Sequence, residues 1–588
     1  MLNNAKVDGY EFKLTNTDMK KYLFIALALL GMASCAKDDV TGGNKPHHNG
    51  EVEESYIAIN LMAADVDSRA AEDTYGYELG TEAERKINSA HFFFFDENGT
   101  PFNVNGAPAT APGGNKNHMA LTISEATTSN MPNVSDIKEA VLVLNTYKGV
   151  YPSKIVAVLN WTPADRAYSL AELHDVMANL NTNGYVMANS VYMDGAGKVV
   201  DATPLTAANI KTSAEAAIAA PVEIYVERIA AKVVLTAGGK VADTDNIFDT
   251  QKDSTPIVAE GETSTIDVYV KLFGWELYND YNTTNLLKDI ENWDVAELGL
   301  TWNDIPYCRC YWAASQDVDP VDSFSWSYED YASKGFPTAN GFKVASDASY
   351  ADGTYTYCGE NTTKDYRTKV ILKGQLVQKV GESYEPIELA RWYGTEYAGN
   401  YALRIAVANS IKYTLYYYDE EGGKYISVAP GDLQCVKGKA VDANAKSYEV
   451  GFQLSNEGAA KTWYKYDSED GYVVMGNNAL DGDNAAKANE YLATIEPALL
   501  YAEGMTYYSV DIKHLGATGK TAEYGVVRNH VYQIDIETIK GYGSPVYSGL
   551  DFVVDEPEYP TEDEASYVAA RINVLSWKVV KQGVDIVQ

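Results

Sequence analysis

A mainly β protein with a few short helices is predicted by three features of the sequence. Short segments of alternating apolar and polar residues recur along most of the chain, the period of half-buried strands. Gly- and Asp-rich stretches separate them, as turns require. Tyrosine is abundant, 45 residues against 14 Phe, and a ring with a wet hydroxyl suits half-buried pleated surfaces and extracellular contact surfaces. With 46% hydrophobic and 22% charged residues, the chain has the composition of folded domains. Its 588 residues allow about three or four ordinary domains or two large β-sandwiches. No repeat of fixed period is evident.

The formal net charge is −35, from 47 Lys+Arg against 82 Asp+Glu. A field of that sign repels phosphates and anionic lipid heads, which argues against nucleic acid as a partner. It suits solubility at a crowded cell surface.

The N-terminal region reads as an address. Met19, Lys20 and Lys21 form a positive start, Tyr22 to Leu30 a short apolar run, and small residues lead into Cys35. The run is too short to span a bilayer and has the shape of a signal peptide. Small residues directly before Cys35 resemble a bacterial lipobox, with Met32 where Leu is commoner. Cys35 is therefore the expected lipidation site, and Ala36-Lys37-Asp38-Asp39 resembles a tag for the outer face of the outer membrane. Two or more acyl chains anchor firmly, at about 0.8 kcal/mol per buried CH₂. Residues 1–18 do not fit a signal peptide and suggest an internal start at Met19.

Residues 36–54 are polar and Gly-containing, hence a tether; the His47-His48 pair in it has no third metal ligand beside it. SYIAINLMA (55–63) is a strand with Ile57, Ile59 and Leu61 on one face. The following polar stretch holds Arg69-Ala70, an exposed-looking basic site of the kind proteases favour. HFFFFDENGTPF (91–102) reads as a hairpin turning at Asn98-Gly99; AVLVLN (140–145) and KIVAVLN (154–160) are strands. Ser169-x-x-Glu172 is a capping box opening a helix with Leu170, Leu173, Val176, Met177 and Leu180 on one face. IYVERIAAKVVL (224–235) is a long strand or strand pair, with a domain boundary close to Tyr225. Further strands are expected at 265–279, 369–380, 402–409, 506–514 and 526–539. A hairpin over 411–428 turns at Glu420–Gly423.

Residues 553–566 are acidic and Pro-containing and should not fold alone. Beyond them the chain regains strand character. Val568, Ala570, Ile572 and Val574 share a face, and Trp577, Val579, Val584 and Ile586 add apolar anchors. Taken alone, this tail suits a strand that completes its own sheet; an unpaired edge of this kind also invites a second chain.

Chemistry-bearing motifs are missing. No H-E-x-x-H or G-x-S-x-G occurs. LGATGKT (515–521) has His514 where a P-loop needs Gly, and LDGDNAAKANE (480–490) has Ala486 where an EF-hand needs Gly. Cys308 and Cys310 share a strand face but lack a second pair with metal-site spacing; with Cys358 and Cys435 they allow two disulfides or buried thiols. No cofactor is expected, and the chain is not read as an enzyme.

Three segments together resemble the fimbrillins of type V pili, especially the major subunit of the short fimbriae. They are GMASCAKDD with SYIAINLMAADVDSRAAED, then YVERIAAKVVL, then VVRNHVYQIDIETIKGYG with INVLSWKVVKQGVDI. The resemblance implies two β-sandwich domains of transthyretin-like or Greek-key type. It divides the chain into a signal peptide (19–34), a propeptide with the first strand (35–69), an N-terminal sandwich (70–225), a C-terminal sandwich (226–552), and an acidic linker with a donor strand (553–588). It implies export as a lipoprotein to the Gram-negative outer membrane and cleavage after Arg69 by an arginine-specific protease. The strand of Ile57, Ile59 and Leu61 then departs, and the tail of another copy fills its place. Asp65 and Asp67 flank the site and would slow cleavage or narrow protease choice. Implied partners are copies of the chain, anchor and tip subunits, and host or bacterial surface receptors, in a cell-surface fimbrium. The alternatives are a tip or accessory subunit, or a monomeric surface lipoprotein that binds a glycan or host ligand.

Overall fold

The computed structural model describes residues 6–7, 10–11, 52–63, 80–104, 116–121, 127–128, 136–147, 150–193, 199–237, 241, 246–252, 255–259, 262–278, 281–288, 355–361, 367–437, 449–476, 483–513, 526–545, 567–575 and 579–582. Strands dominate, as expected. The first sheet contains β1 (Val52–Ala63), β2 (Asp136–Tyr147) and β3 (Val222–Arg228). It runs in the order His118–Leu121, Ala90–Phe95, Lys154–Leu159, Met187–Asn189, β3, β1, β2, Thr127–Thr128.

The run Phe92 to Phe95 does not alternate because both of its faces are covered. Phe92 and Phe94 enter one core with Ile57, Leu142, Leu144, Ile224 and Val226. Phe93 and Phe95 enter a second core with Leu173, Leu286 and Leu287. The sheet closes over the first core. Phe102 N–H donates to Phe94 O at 2.9 Å, and two residues later Val104 O accepts from Asn145 N–H at 2.8 Å, so a few residues span from one end of the strand order to the other. The Asn98-Gly99 turn forms as expected: Asp96 Oδ1 accepts from the N–H groups of Asn98 and Thr100, both at 2.8 Å, and Gly99 takes the φ of +79° that the turn requires.

The capping box is present, with Ser169 N–H donating to Glu172 Oε2 at 2.7 Å and Glu172 N–H donating to Ser169 Oγ at 3.1 Å. The helix itself covers only Leu170–His174. Met177–Asn179 is instead a strand paired with Thr283–Asn285, and Met177 is 42% exposed. A sheet partner more than 100 residues away overrides the helical spacing.

The chain leaves the first sheet between β3 and β4 (Ala231–Ala237), so the break lies at Ile229-Ala230 and a boundary at Tyr225 would cut β3. Two sheets then face each other. One has the order Tyr355–Cys358, β4, β5 (Val531–Lys540), β6 (Tyr567–Leu575), β7 (Val579–Gln582); the other runs through Ile247–Asp249, Val268–Tyr278, Lys369–Val380, Met505–Asp511 and Ser544–Pro545. They share a core in which Val233, Leu235, Ile534 and Ile536 meet Val270, Leu372 and Val510, the arrangement of a sandwich.

A further sheet and a four-stranded hairpin sheet enclose a third core around Trp392, Leu403, Val407, Phe452 and Trp463. Within it, residues expected to form a strand over 402–409 form the helix Asn400–Ser410 instead. Leu403 and Val407 are buried four residues apart, a helical interval that an alternating reading misses in so Ala-rich a run. From Asp483 onward the EF-hand-like stretch is the helix Asp483–Leu492.

Candidate functional site

β1 occupies a slot inside the first sheet. All 12 of its residues pair antiparallel with β2, from Val52 opposite Tyr147 to Ala63 opposite Asp136. On its other side, residues Ile59 to Ala63 run parallel to Val222–Val226 of β3. Ile57 is 0% exposed and lies opposite Leu142; Ser55 lies opposite Leu144 and Ile59 opposite Ala140. Leu142 and Leu144 are buried, and directly opposed residues share a face, so Ser55 and Ile57 lie on the core side. Ala58, on the other face, is also buried, and the helix Ala214–Ile218 packs on β1 and β2. Leu61 stands at the register position of Lys138 on one side and Ile224 on the other.

Among the described residues, β1 is the only part of this sheet that comes from before residue 80. Without it, β2 would present an unpaired edge along its length and β3 a second one, with the core around Ile224 opened. Such an edge is a template for an added strand.

The tail does not stand free. β6 pairs antiparallel with β5, with Val574 opposite Tyr532, Ile572 opposite Ile534, Ala570 opposite Ile536 and Val568 opposite Ile539. Those four β5 residues are buried in the sandwich core, so the expected donor residues are register partners of core residues in their own sheet. The register shifts between Ile536 and Thr538, a bulge that bends the pair. β7 then folds back on β6, with Val579 opposite Leu575, and forms the sheet edge. Cys35, Arg69, Ala70, Trp577, Val584 and Ile586 lie outside the described residues, as do Cys308 and Cys310.

Reading the sequence for motifs missed a seam of buried charge at the join. Lys232 Nζ lies 3.1 Å from Glu84 Oε1, Lys288 Nζ 2.7 Å from Glu227 Oε1, and Arg528 Nε 3.1 Å from Glu360 Oε2. Arg228 donates to Glu84 O at 2.8 Å and to Asn529 Oδ1 at 3.3 Å, and Tyr357 OH donates to the Glu84 carboxylate. Burial alone would raise the Glu84 carboxyl, but Lys232, Tyr357 and Arg228 together hold it below the usual carboxylate range. The charges of YVERIAAK and VVRNH thus sit at one place. A signal was available: charged residues inside otherwise apolar strand strings. This seam ties β3, β4 and the approach to β5 together, so it sets the slot and the tail on one framework.

Among the described residues no group of three His, Cys, Asp or Glu could hold a metal ion, and no helix is long and apolar enough to cross a membrane. Burial pushes the Cys435 thiol up to about 11, so little of it is thiolate at neutral pH.

Residues 499–583 match the family model described as major fimbrial subunit protein type IV, fimbrillin, C-terminal. No curated protein matches the sequence. Among solved structures, the chain is similar to a proposed cell adhesion protein from Bacteroides eggerthii DSM 20697, at 12% identity over 91% of this chain and 98% of that one, with a TM-score of 0.32. It is similar to a fimbrilin (fimA) from Porphyromonas gingivalis W83, at 12% identity over 88% and 96%, TM-score 0.30. It is also similar to the tip fimbrial protein Mfa3 from Porphyromonas gingivalis, at 11% identity over 89% and 100%, TM-score 0.26. The matched C-terminal segment holds β5, β6 and β7. Through that region the chain is similar to the fimbrillins, over the C-terminal segment that the family model describes.

Proposed function

We propose that the chain is a structural subunit of a cell-surface fimbrium that polymerises by exchanging β1 for the tail of a second copy. The match of residues 499–583 to the fimbrillin C-terminal model supports the fimbrial role. The observation that carries the exchange is the place of β1: a strand interior to its sheet, held between β2 and β3, and supplied from upstream of Arg69. In this reading the precursor is exported as a lipoprotein through Cys35 and held at the outer membrane. An arginine-specific protease cuts between Arg69 and Ala70, and Ile57, Ile59 and Leu61 leave with the propeptide.

An incoming strand needs alternating branched aliphatics and a free backbone edge. Val568, Ala570, Ile572 and Val574 supply the first, with Trp577, Val579, Val584 and Ile586 as further anchors. Each buried aliphatic contributes about 1.5–3 kcal/mol and each backbone hydrogen bond a net ~0.5–1.5 kcal/mol. The tail satisfies the same needs along its own β5, so exchange is a competition between two similar sites. Removal of β1 leaves an open edge that tips the balance toward the neighbouring subunit. Head-to-tail addition of this kind builds a filament where the rotation between copies does not close a ring. Anchor and tip subunits would end it, and adhesion to host or bacterial surfaces would be its task.

A second reading, a tip subunit or a surface lipoprotein that stays monomeric, draws on the pairing of the tail with its own β5. Treatment of the purified precursor with a trypsin-like protease separates the two. Fibres by electron microscopy, absent when residues 567–588 are removed, support the polymer. A cleaved chain that remains a monomer supports the second reading.

A further inference from the structure

Six tyrosines form one face of the hairpin sheet, remote in sequence from both the slot and the tail. The strands are Leu415–Asp419, Lys424–Ser427, Trp463–Asp467 and Gly471–Val474. Tyr418 pairs with Tyr425, Tyr416 with Tyr464, and Tyr466 with Tyr472, and alternation places all six rings on one side. The opposite side carries Leu415, Tyr417 and Trp463 into the third core. On the tyrosine side the rings touch one another: Tyr425 stacks on Tyr472 with centroids 3.8 Å apart and planes 10° apart, and Tyr416 meets Tyr472 edge-on at 5.0 Å. Tyr418, Tyr466 and Tyr472 are nonetheless 42%, 47% and 38% exposed, a large aromatic surface to leave open to water.

Both ends of this face are acidic. The two central strands are antiparallel, so the turn after Asp419, with Glu420 and Glu421, lies at one end and the turn after Asp467, with Glu469 and Asp470, at the other. Asp467 accepts from the N–H groups of Glu469 and Asp470, which hold it below the usual carboxylate range and keep it ionised. No Lys or Arg shares the tyrosine side in these strands. Of the lysines in and beside these strands, Lys424 stands opposite Asp419, Lys461 Nζ lies 3.9 Å from the Tyr417 ring centre and pairs with Asp432, and Lys465 Nζ lies 5.9 Å from the Tyr491 ring.

We propose that this six-tyrosine face is a docking surface for a cationic polypeptide, a partner that presents arginine or lysine side chains. Tyrosine gives large, rigid contact area at low entropic cost, and ring faces attract guanidinium and ammonium groups. The acidic turns at both ends supply the complementary field that orients such a partner. Neutral sugars would stack on open ring faces, whereas here Tyr425 and Tyr472 cover each other and the acidic rim would have no counterpart.

The test uses the full chain and a fluorescent arginine–glycine peptide, followed by anisotropy at physiological salt. A glutamate–glycine peptide and cellohexaose serve as comparisons. The arginine peptide binds, the glutamate peptide does not, and Tyr418→Ser with Tyr466→Ser weakens binding about tenfold with an unchanged thermal midpoint. Glu420→Gln with Asp467→Asn weakens it severalfold and flattens its salt dependence. Arginine-peptide binding that is indifferent to the tyrosine substitutions reflects the overall negative charge and overturns the proposal. So does failure of the arginine peptide to bind, and so does cellohexaose binding that the tyrosine substitutions abolish, which would make the face a glycan platform.

Discussion

Lys232, the second residue of β4, reaches Glu84 across the join between the two sheets, Nζ to Oε1 at 3.1 Å, with both side chains buried. Glu84 is also bound by Tyr357 OH and precedes the chain that enters the first sheet. The pair therefore couples the framework of the β1 slot to the sheet that holds the tail.

Loss of one partner should cost far more than loss of both. Glu84→Gln leaves Lys232 buried without a counter-charge and should destabilise the chain by about 3–5 kcal/mol. Adding Lys232→Met should recover much of that. Urea unfolding of the two single variants and the double variant measures the coupling directly.

The same pair sets an acid response. Glu84 is held below its ordinary value of 4.5 in the fold, so it binds fewer protons folded than unfolded at mildly acid pH. Its contribution is complete above about pH 4.5 and is lost as the pH falls through the lower folded value. The stability gap between the natural chain and Glu84→Gln should therefore hold at neutral pH and close on acidification. A gap that persists after the carboxyl is protonated would place its origin in packing and not in charge.

Ile57 should matter before cleavage and not after assembly. It is fully buried among Phe92, Leu142 and Ile224, and Ile57→Ala should cost the precursor about 2–4 kcal/mol. If β1 departs, fibres grown from that variant should dissociate in denaturant at the same concentration as natural fibres. Thermal melts of the precursor and denaturant titration of the fibres provide the two readings.

Cleavage should depend on the single basic residue of its segment. Arg69→Ala should leave the precursor uncut between β1 and residue 80 under a trypsin-like protease and keep it monomeric by size exclusion. Asp65→Asn with Asp67→Asn should speed the cut, since carboxylates beside the scissile bond disfavour a protease that recognises cations.

Much of this fold was legible because local signals and burial agreed. The Asn98-Gly99 turn, the Ser169 capping box, the hairpin turning at Glu420–Gly423 and the strand of Ile57 all follow from short-range chemistry. The losses had two sources, a distant strand partner and an alternating count applied to an Ala-rich run. Met177 joined a strand because Thr283–Asn285 pairs beside it, and Ala402–Ala408 became helical where an alternating count suggested a strand. The buried charges of the join were visible only as odd residues in apolar strings, since each partner lies far along the chain. The tail was the hardest case: one apolar pattern suits both its own β5 and a vacated slot, so alternation alone cannot choose between them.

The central claim is that position 572 changes its neighbour when β1 is removed. A photocrosslinking side chain, Ile572→p-benzoylphenylalanine, reads that neighbour directly. In the uncut precursor it should label β5 of its own chain, near Ile534. After cleavage the account predicts labelling of β2 or β3 of a second copy and a ladder of covalent oligomers. Continued labelling of β5 within covalent monomers after complete cleavage would contradict it.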